Sequence, residues 1–185
     1  MDIEKRKMTS VPPEPTNDQE RFEGWVREHG RAVRGYLLAQ VRRPDVADEL
    51  AQEVFLRAWR ARDQYREEGS LRAYFVRIAD RLACDLARRN GRQKTVLGGE
   101  WTKTEPAKAD DDPAELALAR EAAEQLTQAL DQLSPAQRRV LLLRYYGQMS
   151  FAEIAQTMEA PLNTVLSHCH RALEKLRKIF GEEIP

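Results

Sequence analysis

The chain reads as an all-α protein, two small helical domains joined by a flexible linker, and three observations predict it. Apolar residues recur at i, i+3, i+4 and i+7 in one segment after another, with no stretch of strand-like alternation. Charged residues make up 32% of the 185 positions and aromatics 7%, a balance suited to solvated helices rather than a β-sandwich. Around residues 90–115 the helical pattern gives way to Gly91, Gly98, Gly99, Pro106, Pro113 and the acidic run Asp110–Asp112. The longest apolar runs, such as Val140–Leu143, fall far short of the ~20 residues that cross a bilayer. The charged, proline-containing start has no signal-peptide segment, which predicts a cytoplasmic chain. Two cysteines, Cys84 and Cys169, cannot build a disulfide framework or a four-ligand zinc site.

Residues 1–20, with Pro12, Pro13 and Pro15, read as a disordered tail. The first domain covers 21–94. Its first helix runs from about Phe22 to Val41 on the stripe Phe22, Trp25, Val26, His29, Val33, Tyr36, Leu37 and Val41. Gly24, Gly30 and Gly35 each weaken it by roughly 1 kcal/mol relative to Ala. His29, inside the stripe, reads as a core-edge histidine. Pro44 and Asp45 open a second helix ending near Arg62, with Ala47, Leu50, Ala51, Val54, Phe55 and Ala58 on its buried face. After a loop at Gln64–Gly69, Ser70 caps a third helix reaching Arg89 on the stripe Leu71, Phe75, Ile78, Leu82 and Leu86.

Residues 95–113 form the acidic linker, in which Val96, Leu97 and Trp101 are able to dock. The second domain covers 114–180, followed by a tail at 181–185. Its helices are expected at about Ala114–Gln132, Pro135–Tyr146, Phe151–Met158 and Pro161–Ile179. Ser134-Pro135-Ala136-Gln137 and Ser150-Phe151-Ala152-Glu153 are capping boxes: each hydroxyl accepts a free first-turn N–H, and the third side chain reaches back. Gly147 suits the left-handed position that ends the preceding helix.

Net charge is zero only in the sum. Residues 21–94 hold 17 basic and 11 acidic side chains, 95–115 hold 2 and 6, and 133–180 hold 7 and 3. Two basic modules around an acidic tether fit two contacts with a polyanion, or charge that solvates helix faces. On the second helix, Asp48, Glu49, Gln52, Glu53, Leu56 and Trp59 form an acidic face around exposed apolar groups, suited to protein docking. Trp59 also fits as a cover over the end of the core. On the third helix, Arg77, Arg81, Cys84 and Arg88 form a line continued by Arg89, Arg92 and Lys94. That line can track phosphates, with Tyr65, Tyr74 and Phe75 placed to stack unpaired bases. Asp80 and Asp85 interrupt it, so an ordinary salt-bridged face is the alternative. A cysteine among cations is also open to a lowered pKa at Cys84.

The last two helices have helix-turn-helix proportions. Val165, Cys169, Ala172, Leu173 and Leu176 point one way, and Thr164, Ser167, His168 and Arg171 the other. The second set has the polar, partly cationic composition of a helix that enters a major groove. A helical hairpin with a solvated face has the same pattern. His168 and His170 lie about 200° apart on a helix and cannot chelate one metal. No cofactor, metal or small-molecule substrate is called for, and no nucleophile–base set or glycine-rich phosphate loop suggests an enzyme.

Asp48-Glu49-Leu50-Ala51-Gln52-Glu53-Val54-Phe55-Leu56-Arg57-Ala58-Trp59 resembles the core-binding helix of bacterial extracytoplasmic-function (ECF) sigma factors. Ala73-Tyr74-Phe75-Val76-Arg77-Ile78-Ala79 and Asp85-Leu86-Ala87-Arg88-Arg89 look like the family's next helix, which meets the promoter −10 element. Leu133-Ser134-Pro135-Ala136-Gln137-Arg138-Arg139-Val140 and Ser150-Phe151-Ala152-Glu153-Ile154-Ala155 are similar to its −35-binding domain.

The resemblance implies sigma region 2 over the first domain and sigma region 4 over the second. It implies partners too: core RNA polymerase, met at the clamp helices of its largest subunit, promoter DNA, and an anti-sigma protein. By resemblance, Asp48, Glu49, Gln52, Glu53, Leu56 and Trp59 meet polymerase. Tyr65, Tyr74, Arg77, Arg81, Arg88 and Arg89 meet −10 DNA. Asn163, Thr164, Ser167, His168 and Arg171 meet −35 DNA. Arg81 stands where the family often has Asn, Asn163 where it often has Gly, and Leu166 and His168 where it usually has Lys and Arg. The −35 reader is therefore less cationic than usual. The alternatives are a free-standing helix-turn-helix regulator and a helical adaptor that does not bind DNA.

Overall fold

The computed structural model describes residues 18–65, 70–92 and 113–181, with the backbone alone for Asn90, Arg92 and 113–120. The described residues form seven α-helices and one 3₁₀ turn. Helices α1 (Asp18–Val41), α2 (Pro44–Arg60) and α3 (Leu71–Arg92) pack against one another as a first bundle. Helices α4 (Pro113–Asp131), α5 (Pro135–Gly147), α6 (Phe151–Met158) and α7 (Leu162–Phe180) make the second. The 3₁₀ turn Arg62–Gln64 follows α2.

Helix α1 begins earlier than the apolar stripe suggests, because Asp18 and Glu20 give its first turn the negative charge that a helix N-terminus favours. Arg42, in the left-handed region at φ 59°, ends it, and Pro44 starts α2 at once. Helix α5 ends differently from expectation. Gly147 is its last helical residue and Gln148 takes the left-handed position at φ 52°. Gly147 serves instead in a close approach: a Cβ there would lie 3.0 Å from Met149 and 3.3 Å from Val76.

The two bundles pack against each other and contribute to one buried cluster. Val33, Tyr36 and Leu37 of α1 and Val76 and Ala79 of α3 belong to the same buried cluster as Val140 and Leu143 of α5, Met149 and Ile154. Helix α3 is buried on two sides. Phe75 and Leu82 belong to the expected stripe, while Val76, Ala79, Asp80 and Ala83 make a second strip that the small residues and the acid conceal in the sequence. A smaller cluster of Ala129, Leu133, Ala172 and Leu176 ties α4 to α7. The linker expected at 95–113 falls almost wholly outside the described residues, and with it Val96, Leu97 and Trp101.

At the centre of the seam lies Asp80, fully buried. Tyr36 donates its hydroxyl to Asp80 Oδ1 at 2.6 Å, and Arg139 of α5 donates Nε to Oδ1 at 2.7 Å and Nη2 to Oδ2 at 2.6 Å. Burial and then the neighbouring carboxylate push the Tyr36 phenol well above its ordinary pKa. Burial works against the Arg139 charge, but the paired carboxylate more than compensates and raises its pKa. Around this centre, Arg77 pairs with Glu153 of α6 at 2.8 Å, Arg72 donates to the Tyr146 carbonyl at 2.5 Å, and Arg42 pairs with Asp131. Gly35 lets α1 approach α5, since a Cβ there would lie 2.5 Å from the Tyr146 ring.

Candidate nucleic-acid interface

Three faces carry the residues singled out in the sequence. The first is a groove of about 610 Å³ between α2 and α3, lined by Glu49, Gln52, Glu53, Leu56, Asp85 and Arg89 among others. Leu56 is 42% exposed at its rim. Asp48 is engaged with Arg34 of α1 at 2.5 Å, and Glu53 with Arg57 one turn on at 2.6 Å. Trp59 is half-buried, its ring 5.0 Å from Phe22 and covered by the Arg62 guanidinium at 4.2 Å. It closes the end of the first bundle, and Leu56 is the large apolar group left open to a partner.

The second face is α3. Arg77, Arg81, Cys84 and Arg88 line one cleft with Arg139, Gln156, Thr157 and Glu159 of the second bundle. Arg81 is exposed and Arg88 pairs with Asp85 at 3.1 Å. Arg89 faces the other way, into the α2–α3 groove. The Tyr65 and Tyr74 rings lie 4.9 Å apart, tilted by 53°, with Trp25 edge-on 5.6 Å from Tyr65, an aromatic cluster at the start of the helix. Phe75 does not join it, because it is fully buried as a core residue. Nor is Cys84 activated by its cationic neighbours: burial and the Asp80 charge push its thiol pKa up.

The third face is α7, held by the second capping box. The Glu153 N–H donates to Ser150 Oγ at 3.2 Å, and the Ser150 N–H donates to Glu153 Oε2 at 2.8 Å. The bond from the Ser150 N–H keeps the Glu153 carboxyl below its usual pKa against partial burial, helped by the Ser150 hydroxyl and Arg77. Helix α6 ends on Glu159 at φ 52°, and Pro161 caps α7 two residues later. Val165, Cys169, Ala172 and Leu176 are buried, which turns Asn163, Thr164, Ser167 and Arg171 outward on one face. His168 is half-buried at its edge, with Nδ1 enclosed and unpartnered, and His170 lies by Glu174 at 3.6 Å. Leu162 and Leu166, 46% and 40% exposed, bring aliphatic surface to the same helix. The contacts of Asp80, Arg139 and Gly35 across the seam are what the sequence pattern does not show. The one signal was an acid in register with Val76 and Ala83.

Residues 25–93 match the family model for sigma-70 region 2, and residues 123–176 the model for sigma-70 region 4. The ECF RNA polymerase sigma factor SigK of Mycobacterium bovis is 30% identical over 164 residues, 87% of this chain and 86% of SigK. The chain belongs to the ECF sigma factors. The RNA polymerase sigma factor CarQ of Myxococcus xanthus is also similar, 31% identical over 89% of this chain and 91% of CarQ. The fold is shared with RpoE of Bartonella quintana, solved with the anti-sigma factor NepR, at TM-score 0.69 and 20% identity over 89% and 99% of the two chains. It is shared also with CnrH, solved with the cytosolic domain of CnrY, at TM-score 0.60 and 23% identity over 91% and 92%. This ECF sigma factor acts in promoter-directed transcription initiation. The region 2 match sets aside a free-standing helix-turn-helix regulator, which would need only the second half. No helix among the described residues is long and apolar enough to cross a membrane.

Proposed function

We propose that this sigma factor works through binding energy alone, in the cytoplasm, with each of its three faces given to one partner. The acidic–apolar groove around Leu56 takes the clamp helices of core polymerase, where Glu49, Gln52 and Glu53 orient an apolar contact. The outward side chains Asn163, Thr164, Ser167, His168 and Arg171 of α7 read the −35 element. The Tyr65–Tyr74 pair and the arginines of α3 hold the −10 strand once unpaired. Opening the duplex takes roughly a few kcal/mol per unstacked step, offset by better contacts to unpaired than to paired bases. The observation that carries this reading is the presence, on one chain, of a half-exposed tyrosine pair at the start of the arginine-bearing α3 and a capped helix-turn-helix on a separate face. RpoE and CnrH were each solved with a partner. By that likeness an anti-sigma protein covers the same faces here.

Promoter-dependent run-off transcription with purified core polymerase tests the whole reading: start-site-specific transcripts are expected, and their absence across genomic start sites would overturn it. The polymerase face has its own test. Glu53→Lys combined with Leu56→Ala should abolish co-purification with core polymerase at unchanged helical content, and normal complex formation by that variant would reject the assignment. Thr164→Ala and Ser167→Ala should each weaken −35 duplex binding by about 0.5–1.5 kcal/mol, read by fluorescence anisotropy, and unchanged affinity in both would reject the assignment.

A further inference from the structure

We infer that Leu162 and Leu166 are base-reading residues, which recognise the C5-methyl groups of thymines in the −35 duplex by apolar contact. The inference rests on the reading of α7 as the −35 reader and names which part of the base pair that helix reads.

The two leucines stand where a helix-turn-helix meets base edges, in the first turn and a half of its second helix. Leu162 is the first residue of α7 and 46% exposed; Leu166, one turn on, is 40% exposed. Residues four apart on a helix are neighbours, so the pair makes one aliphatic patch. Neither leucine belongs to a buried cluster. At about 100° per residue, Leu166 points about 90° away from the buried pole of Val165, Cys169, Ala172 and Leu176. Asn163 is exposed and lies three residues before Leu166, on the same side of the helix.

The chemistry of that patch selects one kind of base pair. In the major groove an A·T pair presents adenine N7 and N6–H, which an asparagine bonds in a bidentate pair, and the thymine methyl, which takes apolar contact. A G·C pair offers no methyl, and its usual partner is an arginine or lysine. Residues 162–168 contain no arginine or lysine. At Leu166, where ECF sigma factors usually carry lysine, a side chain that seeks phosphate or guanine gives way to one that seeks a methyl group. Leu162 and Leu166 are about 6 Å apart along the helix axis, under two base steps of about 3.4 Å, so their contacts fall on neighbouring pairs. The patch is continuous with the exposed Asn163, Ser167 and Arg171, which assigns it to DNA rather than to a protein partner.

Uracil differs from thymine only by the missing methyl, so it isolates this contact without altering base pairing. The test starts from promoters at which core polymerase with the full chain initiates. Each thymine of the −35 region, on either strand, is replaced in turn by deoxyuridine, and holoenzyme affinity is read by fluorescence anisotropy. Replacement at one or two thymines should weaken binding about fourfold, the worth of one buried methyl. Leu166→Ala should bind the thymine and uracil duplexes alike at one of those positions. Leu166→Lys should do the same and steepen the salt dependence of binding by about one counterion. A leucine with a merely structural role would weaken binding to every duplex and leave the uracil loss in place, which would overturn the inference. So would a scan that finds no thymine whose methyl matters, the outcome expected of a leucine pair that serves a protein partner. Specific initiation with a flat scan leaves the sigma-factor reading intact, whereas no initiation at any start site removes both.

Discussion

His29 lies 8% exposed at the edge of the first bundle, its ring 5.6 Å from Phe75 and its Nε2 3.8 Å from the Glu28 carboxylate. Burial lowers its pKa below the ordinary 6.5, Glu28 opposes this, and Arg72 adds to it. The unfolded chain therefore takes up a proton at a higher pH than the folded one. The stabilisation from a neutral His29 is complete above the unfolded value and drains away as pH falls towards the lowered folded one. Thermal midpoints should fall from about pH 7.5 to about pH 5.5, and His29→Gln should flatten that slope. An unchanged slope in the variant would assign the acid sensitivity to other groups. At this scale the sequence was a fair guide where periodicity spoke, as at His29. It was silent at Asp80, whose partner arrives from a different helix far along the chain.

Helix α6 is short, eight residues, so its ends matter more than its interior. Its capping box positions the turn into α7, and Glu153 serves both that box and the contact to Arg77. Ser150→Ala should destabilise the fold by about 1 kcal/mol, read as a midpoint lowered by about 2–4 °C in a calorimetric scan. Both boxes were legible because hydroxyl, spacing and acceptor are all local, and the structure contains each in full. The left-handed cap after α5 falls on Gln148, one residue past the glycine whose backbone freedom points to it. Gly147 is needed for lack of a side chain, and the contacts that need it come from Met149 two residues on and from Val76 on another helix. Helix α3 shows the same limit. One apolar stripe fixes a helix on one partner, but a second strip of alanines, a valine and an acid carries no periodic signal strong enough to announce another.

For the molecule as a whole, buried residues of both bundles form one cluster. The free chain should unfold in a single cooperative calorimetric transition, and Gly35→Leu should split it into two, one per bundle. Two transitions in the wild type would mean that the seam contributes little. The family and both modules could be read from motifs, whereas their mutual arrangement could not, because it depends on side chains that meet across 59 positions of chain at Asp80–Arg139 and 76 at Arg77–Glu153. Genetics gives the close packing at Gly35 a concrete consequence. Any missense codon there inserts bulk against Tyr146, so a scan of every substitution read by protein abundance should show Gly35 as intolerant as a core residue.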